Sequence, residues 1–262
     1  MTKQAIGTAL ITGASSGIGK TYADRLARRG YDLVLVARDR ERMEALAARL
    51  REETGVSVDI IQADLTDAAD LRRVEARLAE DERIDLLINN AGASAGRGLE
   101  GTELEVLDSL IRLNVTAVTR LAAAVVPRFV AKGSGSIINI ASVMALMPEA
   151  PSGVYSATKA YVLTYSQSMQ AELGPKGLYV QAVLPAATRT EIWERAGRDI
   201  NTIPGLMEVD ELVDAALVGF DRRELVTIPP LHDAAQWEAF ETARRAMLPG
   251  FREERAAPRY RS

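Results

Sequence analysis

The chain has 262 residues, of which 47% are hydrophobic, so it is long enough to bury a full core as a single domain over residues 1–262. Its 32 basic and 36 acidic residues give a formal net charge of -4, which argues against a nucleic acid or an anionic membrane as partner. The lack of cysteine excludes a disulfide scaffold, a thiolate metal site and a cysteine nucleophile.

The amino-terminal residues Met1 to Gly7 are polar and lead directly into the first apolar run. They do not resemble a signal peptide, and no apolar run is expected to reach membrane-spanning length. We therefore expect a cytoplasmic protein with no membrane partner.

Short runs rich in Val, Ile and Leu alternate with longer helical stretches, which is typical of βαβ units around a buried parallel sheet. The predicted strands are Thr8 to Thr12, Asp32 to Ala37, Val56 to Ala63, Ile84 to Asn89, Ser136 to Ala141, Tyr179 to Leu184 and Leu225 to Ile228. The predicted helices are Gly17 to Arg29, Arg40 to Thr54, Ala68 to Asp81, Glu103 to Val130, Gly153 to Leu173, Val209 to Asp221 and Ala234 to Met247. The charged tail, Phe251 to Ser262, is expected to be loosely ordered.

A glycine-rich turn follows the first strand and opens the first helix. Its glycines let the backbone approach a pyrophosphate, whose charge the helix N-terminal N–H groups then meet. The spacing G-x-x-x-G-x-G differs from the usual dinucleotide fingerprint and by itself is compatible with a plain turn, but its place between strand and helix predicts dinucleotide binding. The residues assigned to the cofactor here are Gly13, Ser15, Ser16, Gly17, Ile18 and Gly19.

The end of the second strand selects between the two nicotinamide dinucleotides. A carboxylate there would bind the ribose hydroxyl of NAD, whereas a guanidinium would pair with the 2′-phosphate of NADP. Ala37 occupies the expected place of the acid, Arg38 follows it, and Asp39 is placed to cap the next helix. NADP(H) is therefore favoured over NAD(H).

Two further turns close predicted strands at the same edge of the sheet. Asp64 and Leu65 follow the third strand, where Asp64 would accept from an adenine amino group. Asn90, Ala91 and Gly92 follow the fourth strand, and their small size would let a ribose or nicotinamide lie near the backbone. Each signal alone is also ordinary loop chemistry.

Asn114 lies in the middle of an apolar predicted helix. An amide is unfavourable there unless its hydrogen bonds are satisfied. We therefore expect the Asn114 amide to have hydrogen-bond partners.

The stretch from Ser142 to Lys159 ends a β-branched run, crosses a loop with Pro148, Pro151 and Gly153, and enters a helix. Tyr155 and Lys159 are four residues apart and share one face of that helix. The pKa of a phenol is about 10, and a neighbouring ammonium favours the phenolate, which would let Tyr155 exchange a proton. Ser142 would hold the substrate oxygen, so the three residues predict an acid/base site without a metal, although such a pair also occurs in ordinary amphipathic helices.

The substrate pocket is expected to be apolar. Its candidate lining residues, which are equally compatible with local packing, are Val143, Met144, Met147, Ala187, Ile192 and Trp193. The segment Arg189 to Met207, within a loop of about residues 186–207, is expected to form a lid that excludes water. His232, the single histidine, is interpreted as a surface or structural residue.

These motifs together resemble the short-chain dehydrogenase/reductase family, over the chain from Ala9 to about Thr190. The resemblance rests on T-G-A-S-S-G-I-G, Asp64-Leu65, N-N-A-G, Asn114, Ser142 and Y-S-A-T-K. It implies a doubly wound Rossmann-like α/β domain with strand order 3-2-1-4-5-6-7 and hydride transfer between nicotinamide and a carbonyl or alcohol carbon. It further implies that Tyr155 is the general acid, Lys159 lowers its pKa and binds the ribose, Ser142 orients the carbonyl and Asn114 holds a water. NADP-preferring members carry a basic residue where Arg38 stands.

Two departures from the family pattern limit the comparison. After the sixth strand the family has P-G-x-x-x-T, whereas this chain has Pro185 followed by Ala186, so the family pattern does not specify the shape of this turn. Contacts of Thr188 and Thr190 with the nicotinamide are still expected. The carboxyl terminus differs from the strand that packs in the usual tetramer, so either a homodimer or a homotetramer is expected.

Two alternatives to a carbonyl reductase stay open. One is a non-catalytic NADP-binding regulator that has kept the fold. The other is a nucleotide-sugar epimerase or dehydratase, for which the residues after Thr190 leave little room.

Overall fold

The computed structural model describes residues 6–95, 98–150 and 153–261, and Pro151 of the loop before the Tyr155 helix lies outside them. Within the described residues a parallel sheet of seven strands has the order β3-β2-β1-β4-β5-β6-β7. The strands are β1 (Thr8–Thr12), β2 (Asp32–Ala37), β3 (Val58–Gln62), β4 (Ile84–Asn89), β5 (Gly135–Ile140), β6 (Leu178–Val183) and β7 (Val226–Thr227). The predicted doubly wound α/β fold is confirmed.

A helix follows every strand along the chain. The α-helices are α1 (Gly17–Arg28), α2 (Arg40–Thr54), α3 (Ala68–Glu80), α4 (Leu104–Ile111), α5 (Val118–Lys132), α6 (Val154–Leu173), α7 (Ile192–Arg195), α8 (Val209–Asp221) and α9 (Ala234–Ala246). The single helix predicted from Glu103 to Val130 is instead divided by a π-helical stretch, Arg112–Ala117, between α4 and α5. The other predicted elements agree to within about two residues, as expected at frayed ends.

Alternate residues of each strand supply two separate cores, because successive side chains of a strand point to opposite faces. In β1, Ala9 and Ile11 pack into the core that includes α1, α2 and α8. Leu10 packs on the other face, in the core that includes α3, α5 and α6. Burial on both faces explains why the central strands are continuous apolar runs in the sequence.

The strand order reverses at β1, which has β2 on one side and β4 on the other. Because all the strands are parallel, the loops after them meet at one edge of the sheet, where doubly wound folds bind their ligands. The sequence-predicted site residues gathered at this edge are Gly13, Arg38, Asp64, Asn90, Ser142 and Pro185.

The chain divides into two compact units, Met1–Pro229 and Pro230–Ser262. The first contains the sheet and α1 to α8. The second contains α9 and two 3-10 helices, Leu248–Arg252 and Pro258–Tyr260, so the tail predicted to be loosely ordered has short regular turns. The single domain over residues 1–262 stays a prediction.

Among the described residues, the helical stretch Leu104–Lys132 is long and apolar enough to cross a membrane, with a mean hydropathy of 1.4. The expectation that no apolar run reaches spanning length is therefore wrong by this measure. Arg112 and Arg120 interrupt the stretch in the sequence, so it does not stand out as a continuous apolar run. A core helix of a globular domain passes the same test, and Leu121, Val125 and Phe129 are fully buried in the core here.

Candidate active site

The glycine-rich turn between β1 and α1 is shaped to bring backbone close to a ligand. Gly13 and Gly17 have φ values of 66° and 51°, in the left-handed region that favours glycine. A Cβ atom on Gly19 would lie 2.4 Å from the carbonyl oxygen of Gly13. Ser16 is the N-cap of α1, and its side chain makes no capping hydrogen bond, so the first N–H groups of the helix are left for a ligand. These features fit a dinucleotide pyrophosphate.

Asn90 connects the loop after β4 to the end of β1 by hydrogen bonds. Its side-chain Nδ2 donates to the carbonyl oxygens of Thr12 at 2.9 Å and Gly13 at 3.2 Å. The hydroxyl of Thr12 accepts from the N–H groups of Asn90 and Ala91, both at 3.0 Å, and donates to Ile88. Sequence reasoning missed Thr12, whose place just before the first glycine is the one signal for it.

The loops after β2 and β3 present a cation and an acid to solvent. The side chain of Arg38 is 72% exposed, and its Nη1 lies 3.8 Å from Oδ2 of Asp64. Oδ1 of Asp64 accepts from the N–H and hydroxyl of Thr66, while Leu65 is buried in the core below. Asp39 caps α2 by accepting from the N–H of Arg42, as predicted, which leaves the Arg38 guanidinium available for a phosphate.

Ser142, Tyr155 and Lys159 come together where β5 ends and α6 begins. Ser142 is the N-cap of the 3-10 helix Val143–Leu146; its hydroxyl donates to the Pro185 carbonyl at 3.3 Å, accepts from the Met144 N–H at 3.2 Å and lies close to the phenol of Tyr155. Lys159 is 6% exposed; its Nζ donates to the Ile140 carbonyl at 2.8 Å and lies 5.7 Å from the centre of the Tyr155 ring. One face of α6 thus points its acid/base pair at the end of β5.

Burial dominates the electrostatics of this pair. Burial raises the pKa of Tyr155, and the hydrogen bond with Ser142 lowers it by less. Burial also lowers the pKa of Lys159 to about 8. Burial therefore sets the direction of the Tyr155 pKa for these residues alone, and the predicted lowering of that pKa by Lys159 stays a prediction. A raised pKa keeps the phenol protonated.

Asn114 lies in the π-helical stretch, a feature frequent at functional sites, and is 1% exposed. Its Oδ1 accepts from the N–H of Ala93 at 3.0 Å, and its Nδ2 donates to the Ala93 carbonyl at 3.0 Å and to the Thr158 hydroxyl at 3.1 Å. Thr158 in turn donates to the Tyr155 carbonyl at 2.8 Å. The unusual helical amide therefore ties the loop after β4 to the Tyr155 helix.

Gly92 lies against this set. A Cβ atom there would be 3.3 Å from Oδ1 of Asn114 and 3.5 Å from Nζ of Lys159. Its lack of a side chain keeps open the space beside the Lys159 ammonium, which agrees with the predicted need for small residues after β4.

The turn after β6 is compatible with alanine. Among the described residues Arg223 is the one non-glycine with a positive φ, so Ala186 adopts no conformation that requires glycine. Thr188 is buried, donates to the Ala186 carbonyl at 3.0 Å and accepts at its own carbonyl from the Trp193 indole at 2.8 Å. Trp193 is thus partly a packing residue of the lid.

The lid contacts the glycine-rich turn directly. Thr190 would lie 3.1 Å from a Cβ placed on Gly17. Glu191 binds Arg42 of α2 and Arg195 of α7. The sequence did not indicate the contact with Arg42, because 149 residues separate it from Glu191. Cavities of about 460 and 440 Å³ flank Glu191 and are lined by Gly17 and Lys20 in both cases. They lie at the turn and the lid and not at Ser142 and Tyr155.

The predicted apolar pocket residues are not equally enclosed. Met147 is 46% exposed, whereas Val143, Met144, Ala187, Ile192 and Trp193 are half-buried. His232 is exposed. In the part of the chain that the structure describes, no group of three or more His, Asp or Glu side chains is arranged to hold a metal ion.

The sequence is similar to curated oxidoreductases. The human 17-beta-hydroxysteroid dehydrogenase type 3 is 35% identical over 212 residues, 80% of this chain and 66% of that protein. The very-long-chain 3-oxoacyl-CoA reductase-A of Danio rerio is 35% identical over 188 residues, 70% of this chain and 59% of that protein. The chain thus spans less than two thirds of the length of these relatives.

Solved structures give higher similarity. A short-chain dehydrogenase from Sphingobium yanoikuyae in complex with NADPH is 63% identical, with a TM-score of 0.96 over 98% of this chain and 100% of that one. The bulky-bulky ketone specific alcohol dehydrogenase from Comamonas testosteroni is 56% identical, with a TM-score of 0.92 over 99% of this chain and 100% of that one. The family model described as short chain dehydrogenase matches residues 7–201. With its sheet order, glycine-rich turn and Y-S-A-T-K helix, this chain belongs to the short-chain dehydrogenase family of oxidoreductases.

Proposed function

We propose that the protein is an NADP(H)-dependent carbonyl reductase or alcohol dehydrogenase in which Tyr155 is the general acid/base. The observation that carries the proposal is the cluster of Ser142, Tyr155, Lys159 and Asn114 beside Gly92, at the sheet edge that also holds the glycine-rich turn. This arrangement supplies an oxygen-binding hydroxyl, a proton donor and a cation, which are the groups that carbonyl reduction needs from a protein.

The residues divide the chemistry between them. NADPH, when bound, supplies the hydride that the carbonyl carbon receives. The Ser142 hydroxyl orients the carbonyl oxygen, and the phenol of Tyr155 donates a proton to it, since burial keeps that phenol protonated. Lys159, with a pKa of about 8, holds charge next to the phenol and stabilises the phenolate that remains. Asn114 keeps the loop after β4 and the Tyr155 helix in register.

The preference for NADP over NAD follows from charge at the end of β2. Ala37 offers no carboxylate to a ribose 2′-hydroxyl, and Arg38 presents an exposed guanidinium. A guanidinium pairs with a phosphate through charge-assisted hydrogen bonds, and the related Sphingobium dehydrogenase was solved with NADPH.

The substrate class that fits best is a ketone with bulky apolar groups. Met144 and Met147 follow Ser142 along the chain, and Met147 presents a flexible apolar side chain that is 46% exposed. The Comamonas relative is specific for bulky-bulky ketones, and the curated relatives act on hydroxysteroids and very-long-chain 3-oxoacyl-CoA. A panel of bulky aromatic, steroidal and acyl-thioester ketones is the first to try.

The test is NADPH consumption with this panel, comparing wild type, Tyr155→Phe and Tyr161→Phe. Tyr161 is on the same helix, but its hydroxyl bonds Thr119 and not Ser142, so it is the matched control. We expect Tyr155→Phe to lower kcat by about 10²- to 10⁴-fold, the usual contribution of a positioned general acid, while Tyr161→Phe retains turnover. Full turnover by Tyr155→Phe would disprove the proposed role. NADPH binding in calorimetry without reduction of any ketone would instead favour the non-catalytic alternative.

A further inference from the structure

Glu191 connects the lid to two elements that surround the cofactor turn. Its Oε1 and Oε2 accept from Nη1 of Arg42 at 2.7 and 2.9 Å. Oε2 also accepts from Nη2 of Arg195 at 2.7 Å, and the same Arg195 nitrogen donates to Oγ of Ser16 at 3.3 Å. A continuous chain of contacts therefore runs from α2 through the lid to the N-cap of α1.

Both anchors of this chain stand beside groups assigned to the cofactor phosphates. Ser16 caps α1, where the pyrophosphate is expected, and Arg42 lies in the first turn of α2, four residues after Arg38. Thr190, next to Glu191, packs over Gly17. Movement of the lid away from α2 would therefore break the contacts between Glu191 and Arg42.

The contacts are of the kind that can open and close. The side chains of Glu191, Arg42 and Arg195 are 39%, 50% and 54% exposed, so water competes for each of them. Isolated pairs of this exposure change an equilibrium only by up to about five-fold, but one carboxylate shared by two guanidinium groups forms a network. Such a network is strong enough to order a loop and weak enough to release it.

We propose that Glu191 is a positioning residue that latches the lid onto the Ser16 turn and α2, so that the same ion pairs set the order of the lid and the residence time of NADP(H). The proposal rests on the proposed NADP(H) dependence. It assigns to Glu191 and Arg42 a role in cofactor retention and none in proton transfer.

The first test needs no cofactor. Trypsin cleaves after Arg189, Arg195 and Arg198 in the lid, so lid opening is read as the rate of cleavage there. We expect Glu191→Gln to be cleaved about two- to tenfold faster than wild type, with Glu191→Asp in between. Glu44→Gln is the matched control, because Glu44 is an exposed acid on α2 that pairs with Arg40 and not with the lid.

The second test is the rate of NADPH release by stopped-flow fluorescence. Glu191→Gln should release NADPH about two- to tenfold faster than wild type, and the Kd for NADPH should rise by a similar factor. The double variant Arg42→Gln/Glu191→Gln should be no faster than Glu191→Gln alone, because the pair is already broken. High salt should reduce the difference from wild type, since it screens exposed ion pairs.

Equal cleavage and release rates in wild type, Glu191→Gln and Glu44→Gln would overturn the proposal, as would strictly additive effects in the double variant. A variant with faster lid cleavage but unchanged NADPH release would also overturn it. The lid cleavage rate and the NADPH release rate are both measured without a carbonyl substrate, so a wrong substrate class in the proposed function leaves these two outcomes intact.

Discussion

The buried ammonium of Lys159 lowers the stability of the folded protein. Burial lowers its pKa to about 8, so below that pH the fold carries a buried ammonium that water would solvate better. This loss of folding free energy has its full value below about pH 8. It decreases as pH rises towards the ordinary lysine pKa of about 10.4, where the lysine of the unfolded chain also loses its proton.

Lys159→Met should therefore abolish turnover yet stabilise the protein at pH 7, by at most about 3 kcal/mol, less the lost bond to the Ile140 carbonyl. The measurement is urea unfolding of both proteins at pH 7 and pH 10. The gain should shrink at pH 10; a variant less stable than wild type at pH 7 would contradict the assignment.

Gly19 tests the shape of the cofactor turn. A Cβ atom there would be 2.4 Å from the Gly13 carbonyl oxygen, a backbone atom that cannot move aside without reshaping the turn. Gly19→Ala should weaken NADPH binding at least about tenfold, a loss of about 1.4 kcal/mol, as measured by calorimetry. Gly250→Ala, whose new methyl would meet open space, is the control and should bind as wild type does.

Arg38 tests the choice of cofactor. Arg38→Asp replaces the exposed guanidinium with an acid that repels a 2′-phosphate and accepts from a ribose hydroxyl. We expect the ratio of kcat/KM for NADPH to that for NADH to fall about 10- to 100-fold, since a hydrogen bond to a charged group contributes about 1.5–3 kcal/mol. Arg40→Gln, two residues further on at the start of α2 and paired with Glu44, should leave that ratio unchanged.

At the scale of the elements, Asp24 of α1 forms an ion pair with Arg49 of α2. Asp24 is 8% exposed and accepts or pairs with Arg28 at 2.9 Å, Arg49 at 2.9 Å and Arg25 at 3.1 Å. Burial alone would raise the pKa of Asp24, but the hydrogen bonds from these three guanidinium groups outweigh it and hold the pKa below its usual value. The carboxylate therefore contributes stability above about pH 4 that is lost as pH falls through the folded-state pKa.

Asp24→Asn should cost about 1–2 kcal/mol of unfolding free energy at pH 7, because three guanidinium groups lose their shared charge. Near pH 3 the loss should be smaller, since the wild-type carboxylate also begins to protonate. Urea unfolding at the two pH values measures both. Asp210→Asn, which removes a 70% exposed partner of Arg25, should change stability by less than about 0.5 kcal/mol.

For the whole molecule, oligomeric state and compartment stay predictions. A homodimer or homotetramer is expected, and light scattering of the full chain would give two or four times the monomer mass. A monomer at micromolar concentration would contradict that expectation. The Leu104–Lys132 helix meets the length and hydropathy of a membrane span, so sedimentation with lipid vesicles is the direct measure of the predicted lack of a membrane partner.

The sequence by itself determined the layered fold and predicted the residues of the proposed site. Continuous apolar runs such as Thr8 to Thr12 require burial on both faces, and parallel strands bring their carboxyl ends to one edge. The glycines of the turn and the four-residue spacing of Tyr155 and Lys159 are local patterns, so they could be predicted without knowledge of distant contacts.

Tertiary structure alone decided the properties that depend on neighbours far along the chain. The direction of the Tyr155 pKa follows from burial, which spacing on a helix does not specify. The partners of Asn114 come from the loop after β4 and from Thr158, and the partner of Glu191 comes from α2. The physical reason is that solvation and hydrogen-bond partners are properties of a packed environment, and packing joins residues that a linear pattern keeps apart.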